Sequence, residues 1–179
     1  MNSVRFYDSI AEQYDTFFQD EASKEEDATV KKHLSPLLEW NEKRVLDIGC
    51  GTGLLLEMYY INSYIGIDPS TEMLNVFNEK FPDKTTFKTK FEDYHWLNDR
   101  NVLISLYGSI SYVNPKYLEE YLSHFNGDFY LMFYNADYKP VTYDKAGNTA
   151  DHYSLYDYKL KDANMFFLNN YVIFTSLEL

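Results

Sequence analysis

Seven consecutive residues carry the densest chemical information in this chain: Asp47-Ile48-Gly49-Cys50-Gly51-Thr52-Gly53. Glycines at every second position let a backbone turn sharply after a strand and approach a ligand without interference from a Cβ. The run Val45-Leu46-Asp47-Ile48 reads as the strand that feeds this loop, and Leu54–Tyr60 as the helix that leaves it. The carboxyl end of a first strand is where open α/β sheets bind nucleotide-like ligands. Asp68 ends the next strand, Tyr64-Ile65-Gly66-Ile67-Asp68, and a carboxylate there can accept hydrogen bonds from both hydroxyls of a ribose. Asp47, Gly49, Gly51, Gly53 and Asp68 are thus the first binding candidates.

Two details narrow the ligand. A dinucleotide fingerprint, Gly-x-Gly-x-x-Gly, would need glycine at the third position after Gly51, which is Leu54. Asp47 also stands where a dinucleotide fold has an apolar residue. A carboxylate at that point suits a ligand bearing an ammonium and a sulfonium better than one bearing a pyrophosphate. Nicotinamide chemistry is the weakest of the readings.

Groups for proton transfer are sparse. Cys50, the only cysteine, excludes a disulfide framework within the chain and reads as a small filler of the loop rather than a nucleophile. Histidines at 33, 95, 124 and 152 lack metal-ligand spacing, so no metal is expected. His33 and His124 fall on predicted helices and His95 in a connecting loop. His152 precedes the last predicted helix, in a region that a doubly wound sheet can bring to the ligand edge, and it is the candidate general base. Tyr7, Tyr14 and Phe18 are spaced to aim from a helix onto a ligand. A ring face attracts a sulfonium by ~0.5–2 kcal/mol, which singles out Tyr14; simple packing of the segment is the competing account. Tyr134, Tyr138, Tyr143, Tyr153, Tyr156 and Tyr158 admit the same two readings, a substrate wall or the packing of a tail short of aliphatics.

The elements that would position these groups follow from periodicity. Two helices are expected before residue 44, the second carrying Val30, Leu34, Leu37 and Leu38 on one face. After Asp68, Pro69 stops the strand and Ser70 caps a helix whose apolar face is Met73, Leu74, Phe77 and Phe81. Strands are predicted at Thr86–Thr89, Val102–Leu106 and Phe129–Phe133, with a helix from Asn114-Pro115 to Asn126-Gly127 between the last two. A short helix is expected from about Ser154 to Ala163, then a hairpin of Met165–Leu168 and Tyr171–Thr175 around Asn169-Asn170. The alternation predicts an α/β fold: a doubly wound, mostly parallel seven-stranded Rossmann-like sheet with a C-terminal antiparallel hairpin. Residues 1–43 would form a helical cover on a core of 44–179, the whole being one domain.

The 179 residues suffice for one buried core, and 45% are hydrophobic. A net charge of −12 argues against a nucleic-acid partner and against docking on an anionic membrane. No apolar run approaches a membrane span and no secretory pattern opens the chain, so a cytoplasmic location is expected.

Val45–Gly53 resembles the first motif of class I S-adenosylmethionine-dependent methyltransferases, and Gly66-Ile67-Asp68-Pro69-Ser70 with Met73-Leu74 resembles their second-strand motif. Phe6–Asp15 is similar to the N-terminal lid of their small-molecule branch, and Leu106–Tyr112 to the turn after their fourth strand. The resemblance implies S-adenosylmethionine as cofactor, with S-adenosylhomocysteine (SAH) as product. It implies that Gly49, Gly51 and Gly53 pass under the methionine part, with Cys50 of the same loop at the cofactor, and that Asp47 orients the amino group, directly or through water. Asp68 and Pro69 would lie at the ribose, Met73 near the adenine, and Leu106 and Tyr107 at the methionyl end. Many relatives place an aspartate after the third strand to bind the adenine amine; here Lys90 holds that position and can only donate, leaving Glu92 or the Phe91 backbone to that role. The implied function is methyl transfer to a small-molecule acceptor by in-line displacement. A catalytically silent binder of the same cofactor and an enzyme cleaving the cofactor without an acceptor are the rivals.

Overall fold

Side chains alternate across a strand, and here both alternating sets are buried, which divides the core into two layers. The computed structural model describes residues 3–38, 43–95, 99–136, 138, 150–160 and 163–178. On one side of the sheet lie Val45 of β1 (Arg44–Ile48), Val102 and Ile104 of β4 (Val102–Ser105), and Tyr130 and Met132 of β5 (Asp128–Tyr134). Leu46, Ile48, Leu103, Leu131 and Phe133 of the same strands face the other side.

The first layer is covered by α2 (Glu21–Leu38) through Val30, Leu34 and Leu37, by α3 (Leu54–Met58), and by α4 (Thr71–Lys80) through Leu74 and Phe77. The second is covered by α5 (Pro115–His124), anchored by Leu118, and by two 3-10 turns, Phe91–Asp93 and Ser109–Tyr112. With β2 (Ser63–Asp68), β3 (Thr85–Lys88), β6 (Asn164–Leu168) and β7 (Tyr171–Thr175), the sheet runs in the order β3-β2-β1-β4-β5-β7-β6. The first five strands are parallel; β7 pairs antiparallel with β5, and β6 antiparallel with β7. This is the doubly wound sheet with a closing hairpin that the sequence predicts.

Capping places the helices that frame the site. The Ser70 hydroxyl accepts the Met73 amide at 3.2 Å, and the Asn114 carboxamide accepts the amides of Lys116 and Tyr117, with Pro115 supplying the pre-set φ of the first turn. Each such cap contributes about 1 kcal/mol. No described helix is long and apolar enough to cross a membrane.

Three elements differ from expectation. The predicted first helix is broken: α1 (Ser3–Ile10) passes at Ile10 into a 3-10 helix, Ala11–Phe18. α3 ends at Met58 because Tyr59 turns extended, its hydroxyl held at 2.9 Å by that of Ser35 on α2. Of the helix expected from about Ser154 to Ala163, the described residues 154–160 form one 3-10 turn, Leu155–Asp157, closed by a Ser154–Asp157 capping box. Tertiary bonds pull the chain out of it: the buried Tyr158 hydroxyl reaches the carbonyls of Ile110 and Val113 at 3.2 and 2.7 Å, and the Lys159 amide donates to Glu119.

Candidate functional site

The turn after β1 is built from backbone that only glycine adopts cheaply. Gly49 has φ +71°, and a Cβ on it would lie 2.4 Å from that of Ser109, so the loop and the turn after β4 close on each other only if residue 49 has no side chain. The amides of Gly49 and Cys50 both donate to the Ile67 carbonyl, at 2.8 and 3.1 Å, which ties the loop to the end of β2. Gly51 differs: a Cβ there would meet nothing within 4 Å, because this glycine faces open space. That space is a cleft at the carboxyl ends of the strands. Asp47, Gly49, Cys50, Gly51, Asp68, Pro69, Met73, Leu106, Tyr107 and Tyr14 all line it.

Asp68, 9% exposed, accepts the Gly51 amide on one carboxylate oxygen at 3.0 Å and the Ser70 amide on the other at 2.8 Å. Each oxygen retains a lone pair for a further donor. Burial pushes its carboxyl up to about 6, against the lowering effect of those two amides, with the Asp8 charge adding to the rise. Asp47, 3% exposed, is pushed by burial up to about 7; the Tyr64 hydroxyl, donating at 2.8 Å, works against that and the Asp68 charge with it. Two buried carboxylates in a pocket with no cationic side chain among its described lining residues favour a cationic ligand with hydroxyl donors.

The N-terminal segment closes over this cleft. The carboxylate of Asp8 accepts the Ser70 hydroxyl at 2.6 Å and the Glu72 amide at 3.2 Å. That of Asp15 accepts the Thr52 hydroxyl, within the glycine loop, at 2.5 Å and is paired with Lys80 at 2.9 Å, while Lys80 also pairs with Glu57. Tyr7 and Tyr14 line the cleft, their rings 6.2 Å apart edge to face, and the Tyr7 hydroxyl meets that of Tyr112 at 3.0 Å. Burial raises the Tyr14 phenol, which therefore stays protonated.

Other predicted residues lie elsewhere. Gly53 packs under Phe81 instead of facing the cleft; Cys50 does line the cleft but is 5% exposed, with its sulfur against Gly66, and burial pushes its thiol up and leaves it inert. Phe91 is buried edge-on against Tyr117 and Tyr121. Glu92 accepts the Asn114 amide at 2.8 Å, ahead of α5. Both line a second, adjoining cleft that shares Gly49 and Pro69 with the first and also contains Lys90. His152 is one ring removed from the main cleft, its ring tilted against that of Tyr134 at 4.8 Å and edge to face with that of Tyr112 at 6.0 Å. Its Nδ1 donates to the Tyr153 carbonyl at 2.9 Å, which leaves Nε2 as an acceptor. Tyr138 and Tyr171 pack on Tyr134, Tyr158 anchors the tail, and Tyr156 is exposed, while Tyr143 lies outside the described residues. His33 is a packing residue, bonded to the Tyr130 hydroxyl.

Sequence reasoning missed the contacts that join the segments: Asp8–Ser70, Asp15–Thr52, Asp15–Lys80 and Tyr64–Asp47. The acidic residues of the opening segment were a visible signal, but their partners were not.

Residues 45–127 match the family described as methyltransferase domain. The fold is similar to that of DhpI in complex with SAH, at 14% identity and a TM-score of 0.68, over 97% of this chain and 94% of that one. It is also similar to Streptomyces venezuelae DesVI (15%, TM-score 0.57, 76% of this chain) and to the sugar N-methyltransferase KedS8 from Streptoalloteichus (19%, TM-score 0.51, 69% of this chain). The chain spans 61% of the length of DesVI and 54% of that of KedS8. No curated protein sequence matches it significantly.

Proposed function

We propose that this chain, of which residues 45–127 match the methyltransferase domain family, is a class I S-adenosylmethionine-dependent methyltransferase that moves a methyl group from S-adenosylmethionine to a small-molecule acceptor. The observation that carries this reading is the pair Asp47 and Asp68, buried at one cleft with the open face of Gly51 between the two strand ends. The fit is chemical: Asp68 has spare lone pairs for two ribose hydroxyls, and Asp47 is a buried anion that an amino group would neutralise. Likeness of fold to small-molecule enzymes, such as a sugar N-methyltransferase, supports the acceptor class.

The cofactor, when bound, supplies a methyl group already made electrophilic by its sulfonium. The protein's tasks are then positioning and the exclusion of water, and positioning alone can lower a barrier by ~7–11 kcal/mol. Asp47 and Asp68 fix the two ends, Leu106 and Tyr107 wall the side under β4, and Tyr7 and Tyr14 close the top. Tyr14 presents a ring to the cleft, suited to steady a sulfonium. His152 is assigned the acceptor's proton, its Nε2 freed by the bond from Nδ1 to Tyr153. The adenine end is assigned to the adjoining cleft of Phe91 and Glu92.

Calorimetric titration with S-adenosylmethionine and SAH, with NAD as control, followed by product analysis across acceptors, tests the proposal. Micromolar binding of the first two and a methylated product support it. Binding without product from any acceptor favours a silent sensor, and cofactor breakdown in the absence of acceptor favours cleavage.

The lid gives a separate prediction. Asp15→Ala removes the Thr52 and Lys80 contacts together, a hydroxyl bond to a half-exposed carboxylate and the ion pair of that same carboxylate, worth about 1–2 kcal/mol combined once solvent screening is allowed for. SAH should leave roughly 5- to 30-fold faster by stopped-flow, with the ligand-free protein melting only about 2–8 °C lower. An unaltered release rate would mean that the segment is fixed by its aromatic packing alone.

A further inference from the structure

Asp47 does not stand alone at the cleft. On β2, beside it in the sheet, Gly66 is its register partner, and Tyr64 lies two residues earlier on the same face. A Cβ on residue 66 would sit 2.9 Å from the Tyr64 hydroxyl and 2.8 Å from the Cys50 sulfur. Gly66 has no left-handed backbone to explain it; its absent side chain opens a slot through which a core tyrosine reaches the strand end. The Tyr64 ring is 5% exposed and stacks on Phe77 at 5.9 Å, so its position is set by packing. Its hydroxyl donates to Asp47 Oδ2 at 2.8 Å.

We propose that Tyr64 is a positioning residue for cofactor binding, its hydroxyl orienting the Asp47 carboxylate and holding it in the anionic form that receives a cationic amine. The inference rests on the reading that Asp47 meets the cofactor's amino group. A carboxylate this deeply buried prefers to be neutral, and a phenol donor is the one described side chain that hydrogen-bonds to it. The Asp68 carboxylate works the opposite way, repelling a charge on Asp47, and the Cys50 thiol, pushed up by burial and by both carboxylates, stays neutral. Burial and the Asp47 charge push the Tyr64 phenol well above its usual range, so it remains a donor across the accessible pH range. The aspartate supplies the charge, while the tyrosine, outside the cleft, decides where that charge points and at what pH it exists.

The test is SAH titration from pH 5.5 to 8.5 for the wild type, Tyr64→Phe, Asp47→Asn and the double variant, each checked for folding by thermal melting. Tyr64→Phe keeps the ring and removes only the hydroxyl. It should bind about fivefold more weakly at pH 7 and about tenfold more weakly at pH 6 and below, as the acid limb of its affinity profile moves up by about one pH unit, the equivalent of ~1.4 kcal/mol. In the Asp47→Asn background the same change should have no further effect. Unchanged affinity and profile in Tyr64→Phe, or an equal loss in the Asp47→Asn background, would overturn the proposal. If Asp47→Asn binds like the wild type, the assignment of Asp47 fails instead, and a folded wild type that does not bind SAH sinks the functional reading. Should Tyr64→Phe not fold, Gly66→Ala, which keeps the ring but narrows the slot, is held to the same two readouts.

Discussion

Replacing Asp68 by alanine is expected to weaken SAH binding by roughly 10- to 150-fold, equivalent to the ~1.5–3 kcal/mol of hydrogen bonds to a charged group. Loss of ribose acceptors is one part of that effect. The structure adds a second, because Asp68 also gathers the amides of Gly51 and Ser70 and so holds the glycine loop against α4. Asp68→Asn separates the two: its single carbonyl oxygen can keep one amide in place while the charge and the second acceptor are lost. Its affinity should fall between those of the wild type and Asp68→Ala, with a melting temperature closer to the wild type. Calorimetry and melting curves on the same samples read both quantities. Full affinity in folded Asp68→Ala would remove the ribose assignment outright.

Asp47→Asn is expected to change stability and binding in opposite directions at pH 8: the ligand-free protein melts higher, while its affinity for SAH falls. In the unfolded chain an aspartate titrates near 3.9, whereas burial raises Asp47 to about 7 and Asp68 to about 6. Between those limits the folded state binds more protons than the unfolded one, so the ligand-free protein loses stability as pH rises from about 4 toward 7. Each group contributes up to about 1.4 kcal/mol per pH unit. A neutral asparagine escapes that penalty, so its advantage should be full above pH 7 and vanish near pH 4. Wild-type affinity for SAH should hold above pH 7 and decline toward tenfold per unit below it, as Asp47 takes up its proton. A flat binding profile, or a variant that melts lower at pH 8 with intact affinity, would contradict the account. The site thus retains instability that a cationic ligand relieves, the trade expected where buried charge serves binding.

The fold was largely legible because its information is local. Alternating runs, Ser70 and Asn114 caps, and the Asn169-Asn170 turn each act within a few residues, and the structure places strands and helices close to where those signals put them. The glycine loop and Asp68 were legible for the same reason: a strand that ends in alternating glycines has few conformations open to it. The Ser154–Ala163 segment was misread because its local helix signal was outweighed by bonds from Tyr158 and Lys159 to residues far away in the chain.

By itself the sequence determined the doubly wound sheet, the loop and the acid at the end of the second strand, since periodicity and backbone restriction are properties of neighbouring residues. Only the tertiary structure decided which groups meet: Asp15 with Thr52 and Lys80, Asp8 with Ser70, Tyr64 with Asp47, and His152 set back behind Tyr112. Those pairings depend on strand order, register and the fall of the N-terminal segment across the cleft. The carboxyl groups rise in pKa because of burial, and burial is a property of the assembled molecule rather than of any stretch of its chain.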